Sequence, residues 1–384
     1  MTSNILRVFA VLLSVASAAR AGADDIERTA VFTAGQDGQG GYHTYRIPAA
    51  IMTKAGTLLA FAEGRKTGRG DSGDIDLLLK RSTDGGKTFG PQQIVWDDAD
   101  NTCGNPCPVV DQRSGRIVLL MTHNLGADTE KTIKLRTAAG TRTVWISVSD
   151  DDGLSWSAPR EITAQVKKPQ WTWYATGPGV GIQLKNGPHA GRLVIPCDYV
   201  ADPDGPNGNA HVIYSDDGGL SWHIGGEPPQ REFNESQVVE LSAPPGRLML
   251  NMRNHRPALT PTTPRQRGVA ISDDGGVTFA EARRDPALIE PVCQASILRD
   301  DEQRLLFANP ASTSKREKMT VRVSDDDGRT WATSREIHAG PSAYSCLVML
   351  PNAVAPKKVG LLYECGTKTP YERIELARFA VGMD

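Results

Sequence analysis

A chain of 384 residues with 39% hydrophobic and 23% charged residues has an ordinary globular composition, which excludes a disordered or collagen-like chain. Its 43 Lys plus Arg nearly balance 45 Asp plus Glu, a formal charge of −2, so no general basic field exists to hold nucleic acid or an anionic membrane. An anionic ligand must therefore be met by a few placed arginines. Residues 1–21 read as a signal peptide: Arg7 precedes an apolar stretch from Val8 to Ala16, small residues follow, and Asp24 and Asp25 begin a globular composition. Export, periplasmic or secreted, is expected, with residues 22–384 as one catalytic domain. No later stretch offers ~18 uninterrupted apolar residues, so no membrane span is predicted.

Beyond the leader, short apolar runs such as Arg116-Ile117-Val118-Leu119-Leu120-Met121, Arg192-Leu193-Val194-Ile195-Pro196 and Arg304-Leu305-Leu306-Phe307-Ala308 are bounded by Gly, Asp or Pro, as buried strands are. Among them recurs Ser-x-Asp-x-Gly-x-Thr/Ser-Trp/Phe, beginning at Ser82, Ser149, Ser215, Ser272 and Ser324. Asp caps the backbone of a tight turn, Gly takes positive φ, and the aromatic packs inward, so each copy marks a hairpin. Recurrence at roughly 60 residues suits a four-stranded sheet with its loops. The expected fold is all-β, a six-bladed β-propeller of four-stranded antiparallel sheets, the sixth blade lacking the repeat or closing the ring from both termini. The repeat's aspartates are read as turn chemistry, not as calcium or sugar sites. Cys103, Cys107, Cys197, Cys293, Cys346 and Cys365 permit three disulfides or six buried thiols. Neither they nor the scattered histidines have metal-ligand spacing, and neither metal nor cofactor is expected.

Polar residues that the turns do not explain lie between the repeats. Tyr45-Arg46-Ile47-Pro48 followed by the five repeats resembles the sialidases, also called neuraminidases, over nearly the whole mature chain. The similarity continues through Ala62-Glu63-Gly64-Arg65, Asp71-Ser72-Gly73-Asp74, Asn105-Pro106-Cys107-Pro108, Gly177-Pro178-Gly179, Asn234-Glu235-Ser236-Gln237, Asn251-Met252-Arg253-Asn254, Lys315-Arg316, Ala343-Tyr344-Ser345 and Tyr363-Glu364. The resemblance implies that Arg46, Arg253 and Arg316 clamp a sugar carboxylate, with Arg322 as the competitor for the third place. A guanidinium stays charged and presents a planar fork that lysine lacks. Glu364 would orient Arg46.

By the same resemblance Tyr344 is the nucleophile and Glu235 its base. The anomeric carbon of a sialic acid already bears a carboxylate, and a phenol avoids bringing a second anion to it. A free phenol has pKa ~10, so both the base and the arginines are needed to activate it. Asp71 would be the acid that protonates the departing oxygen, with Asp74 and Asp76 as competitors. Its pKa would have to rise above ~3.9, which burial under bound substrate would achieve. Arg65 adds a contact to the sugar or pairs with Glu63, and Asn105 touches the N-acyl group or only makes a turn. Trp171, Trp173 and Tyr174 stack on the aglycone or pack between blades.

The expected activity is a retaining exo-α-sialidase acting as a monomer on sialylated glycans, without a flanking lectin-like domain. A trans-sialidase, or a hydrolase of a related nonulosonic acid, is the alternative. A propeller that binds sialic acid without catalysis is disfavoured, because Asp71, Glu235 and Tyr344 are all present.

Overall fold

The computed structural model describes residues 26–35, 41–202, 207–255, 265–351 and 358–380; the expected signal peptide lies outside them. Strand β1 (Glu27–Thr33) pairs with the last strand of the chain and is followed by β2 (Thr44–Met52), β3 (Leu58–Arg65), β4 (Ile75–Ser82) and β5 (Gln93–Trp96). Then come β6 (Thr102–Val110), β7 (Ile117–Asn124), helix α1 (Glu130–Lys134), β8 (Thr143–Ser149) and β9 (Arg160–Glu161). Helix α2 (Thr163–Val166) leads to β10 (Tyr174–Thr176), β11 (Ile182–Gln183), β12 (Leu193–Asp202), β13 (Asn207–Ser215) and β14 (His223–Ile224). Next are β15 (Phe233–Glu240), β16 (Leu248–Asn254), β17 (Gln266–Ser272) and β18 (Arg283–Ile289). The chain finishes with β19 (Ser296–Arg299), β20 (Leu305–Pro310), β21 (Glu317–Ser324), β22 (Thr333–Met349), β23 (Lys358–Cys365) and β24 (Arg373–Ala380).

Antiparallel pairing divides the described strands into successive groups of four: β2 to β5, β6 to β9, β10 or β11 with β12 to β14, and β15 to β18. The long β22 serves two groups. Its N-terminal half completes β19 to β21, and its C-terminal half pairs with β23, beside which lie β24 and β1. The first described strand thus completes the last sheet, tying the N-terminal and C-terminal strands of the described ring together.

The core explains why these strands read as continuous apolar runs. Leu119 and Met121 pack toward β3 and β4, whereas Val118 and Leu120, one residue out of phase, pack toward β12 and β13. Val194 and Val212 in turn face Leu250 and Met252, while Met249 and Val239 face Leu305 and Phe307. Leu306 and Val321 meet Leu361 and Phe379, and Leu362 and Leu376 return to Leu58 and Leu78 of the first sheet. Every sheet is therefore buried on both faces, and the contacts run round a ring, the β-propeller arrangement.

All five repeats form the same turn. In each, the serine hydroxyl donates to the aspartate and accepts the glycine N–H, as with Ser215 to Asp217 at 2.7 Å and Gly219 to Ser215 at 2.8 Å. The five glycines all have positive φ, between 75° and 92°. Slight burial opposes ionisation of Asp217, but hydrogen bonds from Ser221, Ser215 and Leu220 outweigh it and hold its pKa at about 2. The proton is therefore bound by the unfolded chain first, and the stability that these turns supply is lost as pH falls from ~4 toward 2. Asp217→Ala is expected to destabilise by about 1 kcal/mol, seen as a lowered thermal midpoint, with kcat/KM unaltered because the turn lies outside the site described next.

Candidate active site

The site is built from irregularities in the first strands of four groups. Register breaks between Arg46 and Ala49 in β2, Gly104 and Cys107 in β6, Phe233 and Ser236 in β15, and Ser342 and Ser345 in β22. A bulge bends its strand and re-aims side chains, and these four release Arg46, Asn105, Glu235 and Tyr344. Pro48 and Pro106 sit inside two of them, where the broken ladder needs no N–H. Ile47 adopts φ 58°. For a β-branched residue this left-handed conformation costs about 1 to 3 kcal/mol, and the Glu364 carboxylate helps hold it by accepting the Ile47 N–H at 3.0 Å.

These bulges open onto a cavity of about 510 Å³ whose wall includes Arg46, Arg65, Asp71, Asn105, Glu235, Arg253, Arg316 and Tyr344. Glu364 lies behind the wall, fully buried, and does more than orient Arg46. Its Oε1 accepts Arg46 Nε at 2.7 Å, and its Oε2 accepts the backbone N–H of Tyr344 at 3.0 Å, tying the Arg46 guanidinium and the Tyr344 backbone to one carboxylate. The guanidinium of Arg46 lies 5.0 Å from the Tyr344 ring centre and that of Arg316 5.4 Å from it. Arg253 donates to Glu235 Oε2 at 2.5 Å and to the Tyr344 hydroxyl at 3.1 Å. The three guanidiniums converge on one ring and face two carboxylates, so the cluster keeps a net positive charge fit for a carboxylate ligand. Arg322 instead donates to Asn309 at 3.0 Å and does not line the cavity.

The Tyr344 hydroxyl donates to Glu235 Oε1. Burial pushes the phenol well above its ordinary pKa, the Glu235 carboxylate pushes it further, and Arg253, Arg316 and Arg46 only partly compensate. Tyr344 thus holds its proton, and any role for its oxygen as a nucleophile requires that proton to pass to Glu235.

Asp71 stands at the rim with its side chain 60% exposed, 2.8 Å from Arg65. Burial acts to raise its pKa, but Arg65, then Arg46, with help from Arg142, outweigh that and hold it below the usual aspartate value. An acid role therefore requires bound substrate to displace or screen these cations. The competitors are engaged elsewhere: Asp74 pairs with Lys66 at 2.8 Å, and Asp76 accepts from Tyr42 at 2.5 Å. Arg65 is 2% exposed and spends its fork on Glu63 and on the carbonyls of Arg69 and Gly70, besides Asp71. Asn105 has its side-chain oxygen taken by Arg142 at 2.5 Å and Thr122 at 3.2 Å, which leaves its NH2 group for a ligand.

A model of the BNR repeat-like domain matches residues 56–357, most of the described ring. The chain is 36% identical over 366 residues to a sialidase of Micromonospora viridifaciens, covering 89% of this chain and 53% of the relative. It is 33% identical to an exo-alpha-sialidase of Arthroderma benhamiae, covering 78% of this chain and 72% of that one. The chain belongs to the sialidase family. Among solved structures, the Hadza microbial sialidase Hz136 superposes with TM-score 0.78 at 30% identity, over 92% of this chain and 68% of that one. The chain spans about half the length of the Micromonospora sialidase.

Four features of this sialidase-family site were given no role by the sequence reading. Tyr371 lies under Arg46, 4.5 Å from guanidinium to ring centre, and accepts Arg316 at 2.9 Å, so it spaces two triad members. The fully buried pair Arg267 and Glu290, 2.9 Å apart, holds the Asn254 N–H beside Arg253 and the carbonyl of Cys293, next to Val292, which itself accepts Arg316 at 3.0 Å. Arg142 is buried 4.1 Å from the Trp173 ring, its pKa lowered by burial. The fourth is Asp198, a buried acid in the cavity wall. The aromatic cluster divides: Trp173 lines the cavity, whereas Trp171 stacks on Tyr199 with ring centres 3.8 Å apart and Tyr174 is wholly buried beside it in the core between sheets. All six cysteines are buried free thiols, the second of the two readings.

Proposed function

We propose that the protein is a retaining exo-α-sialidase that hydrolyses terminal α-linked sialic acids through a covalent bond to Tyr344. The observation that carries this reading is the Tyr344 hydroxyl donated to the Glu235 carboxylate beneath three converging guanidiniums. A simple anion-binding protein has use for the arginines but none for a phenol paired with a base. Family membership adds its weight through relatives named sialidase and exo-alpha-sialidase.

In the first half of the reaction Arg46, Arg253 and Arg316 hold the substrate carboxylate. The Tyr344 oxygen bonds to the anomeric carbon while its proton passes to Glu235, and the bond to the aglycone oxygen breaks as Asp71 gives that oxygen a proton. In the second half Asp71 takes a proton from water, whose oxygen displaces the phenol, and Glu235 returns the proton to Tyr344. Two inversions leave the α configuration. The reading is tested by proton NMR of a sialyllactose digest at early time: α-sialic acid is expected as the first product, and β-sialic acid first, or no release by folded protein between pH 4 and 8, overturns it. Added lactose as acceptor separates hydrolysis from transfer.

A further inference from the structure

Around the ring, the carboxylate clamp and the nucleophile come from β2, β15, β16, the loop before β21, and β22, with Asp71 beside them on the loop before β4. Beyond Glu63 and Arg65 of β3, most of the remaining wall comes from the second and third groups, and there Trp173, Arg142 and Asp198 line the same cavity. Asp198 lies on β12, opposite Ala175 of β10 and Ala210 of β13, so its neighbours in the ladder carry no polar side chain to meet it. The residue is 4% exposed and its Oδ2 has no hydrogen-bond partner. A buried carboxyl group whose Oδ2 lacks a partner costs free energy, and because the residue lines the cavity a ligand can supply the carboxyl group with a bond.

We propose that Asp198 is a substrate-contacting residue that determines specificity, its carboxyl group bonding the uncharged, hydroxyl- or amide-bearing arm of the sugar whose carboxylate the arginines hold. This deepens the sialidase reading and rests on it. Asp198 acts as the neutral acid, able both to donate and to accept. Burial is the main cause, followed by the Glu235 carboxylate on β15, and these push its pKa up to about 8 against the opposing pull of Arg253 on β16. From α1, Glu130 raises it and Lys134 lowers it; Tyr174 of β10 and Cys197 of its own strand also lie near. His211 of β13, whose ring is 5.5 Å from that of Tyr174, has its own pKa lowered by burial to about 3, so it contributes no charge near neutrality. A neutral acid keeps a second anion away from the Tyr344 and Glu235 pair. It is also the form able to reach an acceptor on the sugar.

The test is calorimetric titration of the wild type, Asp198→Ala and Asp198→Asn with 2,3-dehydrated sialic acid at pH 6 and pH 9. At pH 6, Asp198→Ala is expected to bind about tenfold more weakly, and Asp198→Asn within about threefold of wild type. By pH 9 wild-type affinity should fall about tenfold further than that of Asp198→Asn, which has no proton to lose. Equal affinity of wild type and Asp198→Ala, or parallel pH dependence of wild type and Asp198→Asn, overturns the inference. No binding by folded wild type removes the sialidase reading itself and this inference with it. Thermal melts provide a readout independent of ligand. The fold retains a proton on Asp198 between pH ~4 and about 8 that the unfolded chain releases, so wild-type stability falls through that window. The melting temperature of Asp198→Asn relative to wild type should therefore rise from pH 4 to pH 8, and a constant difference counts against the neutral acid.

Discussion

Tyr344→Phe is expected to lower kcat on a sialoside by about 10³-fold, roughly 4 kcal/mol of transition-state stabilisation, while affinity for a dehydrated sialic acid changes only a few-fold. The ring stays packed against Ile47, Cys293 and Ala343, and its backbone stays tied to Glu364, so the cavity keeps its shape. What is lost is the hydroxyl that donates to Glu235 and that, in the proposed mechanism, bonds to the anomeric carbon. Covalent catalysis divides one hard step into two easier ones, and without the nucleophile the remaining groups must act on water directly. A loss below tenfold would mean that Tyr344 only shapes the site.

Arg253→Lys is expected to reduce kcat/KM by about 10²- to 10³-fold, with kcat falling as well as KM rising. One planar fork here serves Asn234 at 3.0 Å, Glu235 at 2.5 Å, the Tyr344 hydroxyl at 3.1 Å and His255 at 3.2 Å. A lysine ammonium keeps the charge but reaches these partners from a single atom, so Glu235 and Tyr344 lose their common brace and the proposed carboxylate clamp loses one fork. Arg322→Lys is the control. Arg322 bonds Asn309 away from the cavity, and kinetics matching those of wild type are expected. If the two substitutions cost the same, the charge of Arg253 and not its fork is what the site uses.

The ring was legible because its signals are local. A serine, an aspartate and a glycine within five residues make a turn wherever they occur, and runs such as Ile117 to Met121 are apolar at every position because both faces of the sheet are covered. The pairing of β1 with β24 was visible only as the expectation that the termini close the ring. At the site, Arg46 and Asn105 stand beside Pro48 and Pro106, and a proline within a strand pattern is a mark of a bulge. No such mark attends Tyr371 or Arg142, and Pro196, two residues before Asp198, sits in an unbroken stretch of the β12 ladder. Tyr371 matters because it lies between two arginines brought from β2 and from the loop before β21, and Arg142 because Asn105, 37 residues earlier, turns its oxygen toward it. Asp198 follows Leu193-Val194-Ile195-Pro196-Cys197 as one more residue of a strand. Its burial is imposed by α1, β10 and β15, which no local pattern connects.

The most direct test of the account is to incubate the protein with a 2,3-difluorinated sialic acid, whose fluorines slow the second displacement, and to sequence the labelled peptide by mass spectrometry. The sugar is expected on the Tyr344 oxygen, with labelling abolished in Tyr344→Phe. A stable adduct on Glu235 or Asp71, or turnover of sialosides by an enzyme that never labels, would mean that the phenol is not the nucleophile.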